Sequence, residues 1–267
     1  MGFVEKIKKE MTLYKEKTLK IQEWGKWRNE EFSHILPKDL SNLNLIEVYR
    51  EECEKYLEIN KIKFHQNFNH LNSSQALCFN LFFPFVIKDI PISVLFKTLN
   101  IKLDDKEAFF EFEKIADKKE GTNFDFYIKT EKRNIYFEVK YTENSFGKAR
   151  NDENHIKKFN DIYKRKLNGI VKEEYINQKE MFENYQLFRN ISYLTENDIV
   201  IFVFPKNNIK VKKELKEFRN KLENKEFINK NIVEIEIENI IKGIKEETQK
   251  SNNIEIWIKQ FTEKYIL

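Results

Sequence analysis

The sequence predicts an α/β fold, a mixed central sheet with a helical N-terminal extension. Three observations carry this. Three short runs of period-two alternation, AFFEFEKIA, NFDFYIKT and NIYFEVKYT, follow one another from Ala108. A continuous apolar run, IVIFVFP at 199–205, reads as a strand buried on both faces. Helical periodicity precedes the strands and recurs between them.

Residues 3–32 read as helix because Phe3, Ile7, Met11 and Tyr14 recur at three- and four-residue steps, with Trp24 and Trp27 as packing residues. Ser41 caps a second helix over 41–59, with Leu45, Val48, Tyr49 and Cys53 on one side. Asn72 or Ser73 caps a third from Ser74 to about Phe83, with Pro84 and Pro91 at its end. Gly121 and Thr122 separate the first strand from the second, and residues 131–134 join the second to the third as a hairpin. Residues 151–167 and 174–193 are helical, the latter with Tyr185, Phe188 and Ile191 on one side. After the apolar strand come a basic amphipathic helix (211–226), an alternating edge strand (232–238) and a last helix (254–267) carrying Trp257. The expected division is a helical extension, 1–70, packed on a core, 71–267, that ends in the basic helix, strand and helix. Together they make one domain.

Composition narrows the function classes. The chain has 267 residues, 40% hydrophobic and 34% charged, enough for a core without staples. Six Gly and four Pro leave no room for collagen-like or Gly-rich phosphate-loop architectures. Cys53 and Cys78 fit no metal or redox spacing, so a reducing cytoplasm is expected. The most apolar stretch, 76–87, is too short to span a bilayer, and MGFVEKIKKEM has no long apolar run, so no signal peptide is expected. A net charge of +4 permits a nucleic-acid partner without demanding one.

The chemistry converges on the second and third strands. Alternation puts Phe124, Phe126 and Ile128 on one face and Asp125 and Tyr127 on the other. In the next strand Ile135, Phe137, Val139 and Tyr141 share a face, and Glu138 and Lys140 share the opposite one with Tyr136 and Thr142. Pairing as a hairpin brings Asp125 near Glu138 and Lys140. Two carboxylates and an ammonium on apolar strands suit a divalent cation with oxygen ligands, and the ammonium suits charge developing on a phosphate. A salt-bridged outer sheet face is the alternative. E-x-K occurs at Glu138, Glu214 and Glu223, and only Glu138 sits in a strand.

Asp125, a twelve-residue gap and Glu138-Val139-Lys140 resemble the PD-(D/E)XK phosphodiesterase superfamily, which includes many type II restriction enzymes. SSQALCFNLFFPF (73–85), EGTNFDFYI (120–128), FEVKYTE (137–143) and YQLFRNISYL (185–194) resemble a little-characterised bacterial group described as restriction-endonuclease-like. The resemblance covers roughly residues 70–205 and implies an α-β-β-β-α-β core. It further implies Asp125 and Glu138 as metal ligands, the Val139 carbonyl as a third, and Lys140 as the catalytic lysine. Gln75, on the first core helix, is the auxiliary position, with Glu113 as a competitor that shares a face with Glu111. The implied protein is a Mg²⁺-dependent DNA endonuclease, with Mn²⁺ as a substitute and a type II restriction enzyme as the biological reading. Double-strand cleavage would need two sites, as in a homodimer on a palindromic sequence. A nucleic-acid-binding protein that keeps the fold without catalysis is the alternative.

Gln186 and Arg189 lie one helical turn apart. They either contact the scissile phosphate or polarise Glu138, or form a surface pair that fixes packing. His65 and His70 are off a single helical face, so no zinc site is expected, and His34 and His155 have no partner nearby in sequence. Residues 206–230 hold nine basic and four acidic side chains, either a track for a phosphate backbone or a solvated face.

Overall fold

A computed structural model describes residues 1–102, 108–117, 122–247 and 251–266. Gly121, read as the break between the first two strands, lies outside them. In chain order the elements are α1 (Phe3–Lys17), β1 (Gly25–Trp27), β2 (Glu30–Phe32), α2 (Arg50–Ile59), α3 (Ser74–Val86), α4 (Ile92–Thr98), β3 (Phe109–Asp117), β4 (Thr122–Lys129) and β5 (Asn134–Val139). Then come α5 (Glu153–Lys158), a π-helical stretch (Phe159–Tyr163), α6 (Lys164–Leu167), α7 (Gln178–Glu183), α8 (Tyr185–Ile191), β6 (Ile199–Phe204), α9 (Ile209–Arg219), α10 (Lys225–Asn231), β7 (Ile232–Glu236), α11 (Ile237–Glu247) and α12 (Asn252–Tyr265). Among the described residues no helix is long and apolar enough to cross a membrane. The chain divides into two compact units, residues 1–103 with 236–267 and residues 104–235.

In the first unit, the expected helix over 3–32 stops at Lys17. Lys20, with φ +60°, turns the chain away from the helix, and at Gly25 the backbone passes so close to Leu36 that a Cβ would sit 2.2 Å from its carbonyl oxygen. Arg28 and Asn29 both have positive φ, which closes β1 and β2 as a two-residue hairpin of the twist-matched kind. Trp24 and Trp27 therefore stand exposed rather than packed in a helix. The helix over 41–59 is likewise shorter, beginning at Arg50 after two 3₁₀ turns. His34 and His70, distant in sequence, lie with rings 6.4 Å apart, and burial pushes both down to about 4.

Helix α3 is capped by Ser73, whose hydroxyl accepts from the Ala76 N–H at 3.4 Å. It runs through Pro84 to Val86, and Gln75 to Phe85 are all buried. Proline deprives the Asn80 carbonyl of its helical donor. The indole of Trp257 on α12 supplies a replacement at 2.9 Å, so the helix continues where the sequence suggested an end.

The second unit holds a five-stranded sheet in the order β3-β4-β5-β6-β7. β3 with β4 and β4 with β5 pair antiparallel, and β5 with β6 pairs parallel, so the sheet is mixed, as predicted. Every residue of β6 is buried. The edge run 232–238 is strand only to Glu236, because Ile237, Ile240, Ile241 and Ile244 recur with helical spacing and form the buried side of α11. The single helix expected over 174–193 breaks at Asn184, which has φ −118° and ψ 33° and uses its side-chain amide on the Glu180 carbonyl.

Candidate active site

The site grows from an irregularity in the sheet. Phe126 pairs with Phe137 and Tyr127 with Tyr136, so the register carried one step further sets Asp125 opposite Glu138. On its other side Asp125 faces Glu113, which falls between the Phe112–Phe126 and Lys114–Phe124 pairs. Glu113 has φ +53°, a left-handed backbone inside a strand. The register runs through it unshifted, yet the side chains around its partner Asp125 do not alternate. Phe124 lies 4.5 Å from the Tyr136 ring in a cluster with Tyr163, Leu187 and Phe188, whereas Phe126 packs on Phe112 and Phe137 at 4.8 and 5.4 Å. The expectation that Phe124 and Phe126 share a face is thus corrected. Asp125 sits at the switch and points along the sheet, where its Oδ2 accepts the Val139 N–H at 2.6 Å. The Val139 carbonyl faces the same lateral direction as that N–H, because N–H and C=O of one strand residue project together.

Strand β5 ends at Val139, and the Lys140 N–H continues the ladder to the Val203 carbonyl at 2.8 Å. Glu138 and Lys140 are both buried. The Lys140 ammonium donates to Glu138 Oε1 and to Gln186 Oε1, each at 2.9 Å. Gln186 in turn donates from Nε2 to Glu138 Oε1 at 2.5 Å, and Asn190 donates to Glu138 Oε2 at 3.0 Å. Both amides sit on α8, one turn apart, and the break at Asn184 starts the helix that presents them.

Of the residues the sequence singles out, Asp125, Glu138, Val139, Lys140 and Gln186 come together, with Glu113 alongside. Glu113 is not simply solvated: its Oε2 accepts from the Asn123 amide, while Glu111 pairs with Lys114 at 2.8 Å. Arg189 is turned to the Tyr185 ring, 5.8 Å from its centroid, and shares no hydrogen bond with Glu138 or Lys140. Gln75 stands on α3 in the first unit, where its Oε1 accepts the His65 N–H at 2.8 Å and its Nε2 donates to the Lys63 carbonyl at 3.2 Å.

Charge is crowded here. Burial, the largest influence, holds Asp125 well above the usual carboxylate range, and repulsion from Glu138 and then Glu113 adds to it. Lys140 and the Val139 N–H offset part of this. For Lys140, burial pulls its pKa down most, but Glu138, Glu143 and Asp125 together outweigh it and hold the ammonium above its ordinary value. Glu143 is fixed by accepting the Tyr141 N–H at 2.7 Å. Glu214 on α9 accepts the Phe146 N–H at 2.9 Å, and burial raises its pKa against the pull of that bond, Lys140 and Lys148.

The donor set fits a hard divalent cation. Glu138 accepts three hydrogen bonds of the four its oxygens can take, two on Oε1 and one on Oε2, which leaves Oε2 able to face an ion. Asp125 lies across from it, and a cation would relieve the repulsion that raises its carboxyl. Among the described residues no group of three or more His, Cys, Asp or Glu is placed to hold one metal ion, so the carboxylate share would be this pair, with Val139 C=O at hand. One or two carboxylates with water and phosphate oxygens is the ordinary Mg²⁺ arrangement.

Two participants escape a reading of the sequence. Asn190 is four residues from Gln186, which is the spacing for one helix face and the signal that could have found it. Glu214 reads as part of a solvated helix face, and nothing local in sequence contradicts that. Replacing Asn190 with Ala should leave one oxygen of a buried carboxylate without its donor and cost about 1–3 kcal/mol in urea unfolding. An unchanged midpoint and slope would show that the bond contributes nothing.

A protein-family model described as Restriction Endonuclease associating with ARP matches residues 8–266. No curated protein and no solved structure matches.

Proposed function

The chain belongs to the family of restriction endonucleases associating with ARP, and from that premise we propose that it is a Mg²⁺-dependent endonuclease that hydrolyses DNA phosphodiester bonds. The observation that carries the reading is the buried Glu138–Lys140–Gln186 cluster opposite Asp125. A buried ion pair is a weak source of stability, so a cluster this elaborate favours a functional explanation. The pattern of Asp125, Glu138 and Lys140 supports membership of the PD-(D/E)XK superfamily. A divalent ion held by Asp125 and Glu138 would supply charge neutralisation at the phosphate and ease deprotonation of the attacking water.

The chain's own residues do the rest. Gln186 and Asn190 hold Glu138 in one rotamer, so that its free lone pair keeps a fixed direction. Lys140, fixed at two oxygens, presents a positive charge where negative charge builds on the phosphate. The buried setting strengthens that interaction by excluding water. Mn²⁺ would satisfy the same oxygen donors, and a homodimer would present two such sites to a duplex.

Purified protein incubated with DNA, with and without Mg²⁺, tests the proposal. Metal-dependent cleavage is expected, with discrete fragments if the role is restriction. Binding without cleavage under any divalent ion would leave a nucleic-acid-binding protein that keeps the fold, and neither binding nor cleavage would end the nuclease reading.

A further inference from the structure

Residues 144–150 form a strap beside the site that is anchored along most of its length. Phe146 is buried, its ring 5.2 Å from Phe202, with the Lys140 ammonium 5.3 Å from its centroid. Its N–H goes to Glu214. Gly147 donates to Gln186 Oε1 at 3.0 Å and accepts the Gln186 N–H at 3.1 Å. The Ala149 N–H goes to the Phe182 carbonyl at 2.9 Å, and Asn144 accepts from Lys210 at 3.1 Å. The glutamine that holds Lys140 and Glu138 therefore also holds the strap.

On this strap Lys148 and Arg150 are exposed. Among the described residues neither has an ion pair or side-chain hydrogen bond. Lys148 follows Gly147, whose N–H meets the same Gln186 oxygen as the Lys140 ammonium, which places it at the margin of the site. Two exposed cations with no ion pair or side-chain hydrogen bond among the described residues, on backbone fixed to the site, are arranged for an external anion.

We propose that Lys148 and Arg150 bind the substrate strand's phosphates beside the scissile bond and so set where that strand lies over Lys140. The inference rests on the nuclease reading and adds to it the surface that positions the strand. Lysine contributes a point charge, and arginine a planar fork that can take two phosphate oxygens. Such interactions fix register and carry no sequence information.

The test is binding of a labelled DNA duplex to Lys148→Gln/Arg150→Gln as salt is varied, with steady-state cleavage alongside. Both side chains are exposed, so folding should survive, and a thermal melt confirms it. The slope of log affinity against log salt should fall by about 0.9 for each phosphate that is no longer neutralised. KM should rise by a larger factor than kcat falls, and Lys148→Arg should keep the wild-type slope. An unchanged slope and KM, in a preparation whose wild type binds and cleaves, overturns the strap assignment alone. A wild type that neither binds nor cleaves defeats the nuclease reading and this inference with it.

Discussion

Lys140→Ala should lower the cleavage rate by at least about 10²–10³-fold, the usual loss when a preorganised charge at the reacting group is removed. DNA binding should stay within a few-fold, because affinity comes from many phosphates along the duplex. The substitution also strips Glu138 of a cation in a buried setting, where breaking a pair costs about 3–5 kcal/mol. Lys140→Gln is therefore the companion variant. It keeps a donor for Glu138 while losing the charge, and it should be as inactive as the alanine variant at temperatures where both are folded. A glutamine variant that cleaves like wild type would refute the assignment of Lys140.

Asp125→Asn should raise the stability of the metal-free protein by about 1 kcal/mol or more. Asp125 is strained by burial and by Glu138 and Glu113, and the amide removes the charge at nearly constant shape. Its Oδ1 can still accept the Val139 N–H. The pH dependence gives the sign independently. The folded-state pKa of Asp125 lies above the ordinary 3.8, so the folded protein binds this proton more tightly than the unfolded chain does. The associated stability is complete below about 3.8 and is lost as pH rises through the raised value. That falling limb should be present in wild type and absent in Asp125→Asn. Mg²⁺ at a hundred times its dissociation constant should stabilise wild type by about 2.7 kcal/mol and the variant far less. If instead the amide destabilises the metal-free fold and wild-type melting ignores Mg²⁺, Asp125 is a structural salt-bridge partner.

Much of this molecule is legible locally. Period-two runs mark β3, β4 and β5, and an unbroken apolar run marks β6, because strand burial writes itself into adjacent residues. Asp125, Glu138 and Lys140 are visible as charges in an apolar setting. The N-terminal helix reads too long because the residues after Lys17 pack against the distant Leu36 backbone at Gly25, a contact with no mark beside it in sequence. Pro84 reads as an end because Trp257, which satisfies the freed carbonyl, lies far along the chain.

Composition and spacing by themselves determined an α/β chain with a mixed sheet and an Asp, Glu and Lys set on neighbouring strands. Tertiary structure alone decided what that set does to itself. Asp125, opposite the left-handed backbone of Glu113, turns along the sheet to the Val139 N–H. The break at Asn184 starts a helix whose Gln186 and Asn190 close on Glu138. Helix α9 brings Glu214 to the strap. Each joins residues more than ten positions apart, fixed by register and helix placement, and a local pattern cannot encode which distant donor will meet a given carboxylate.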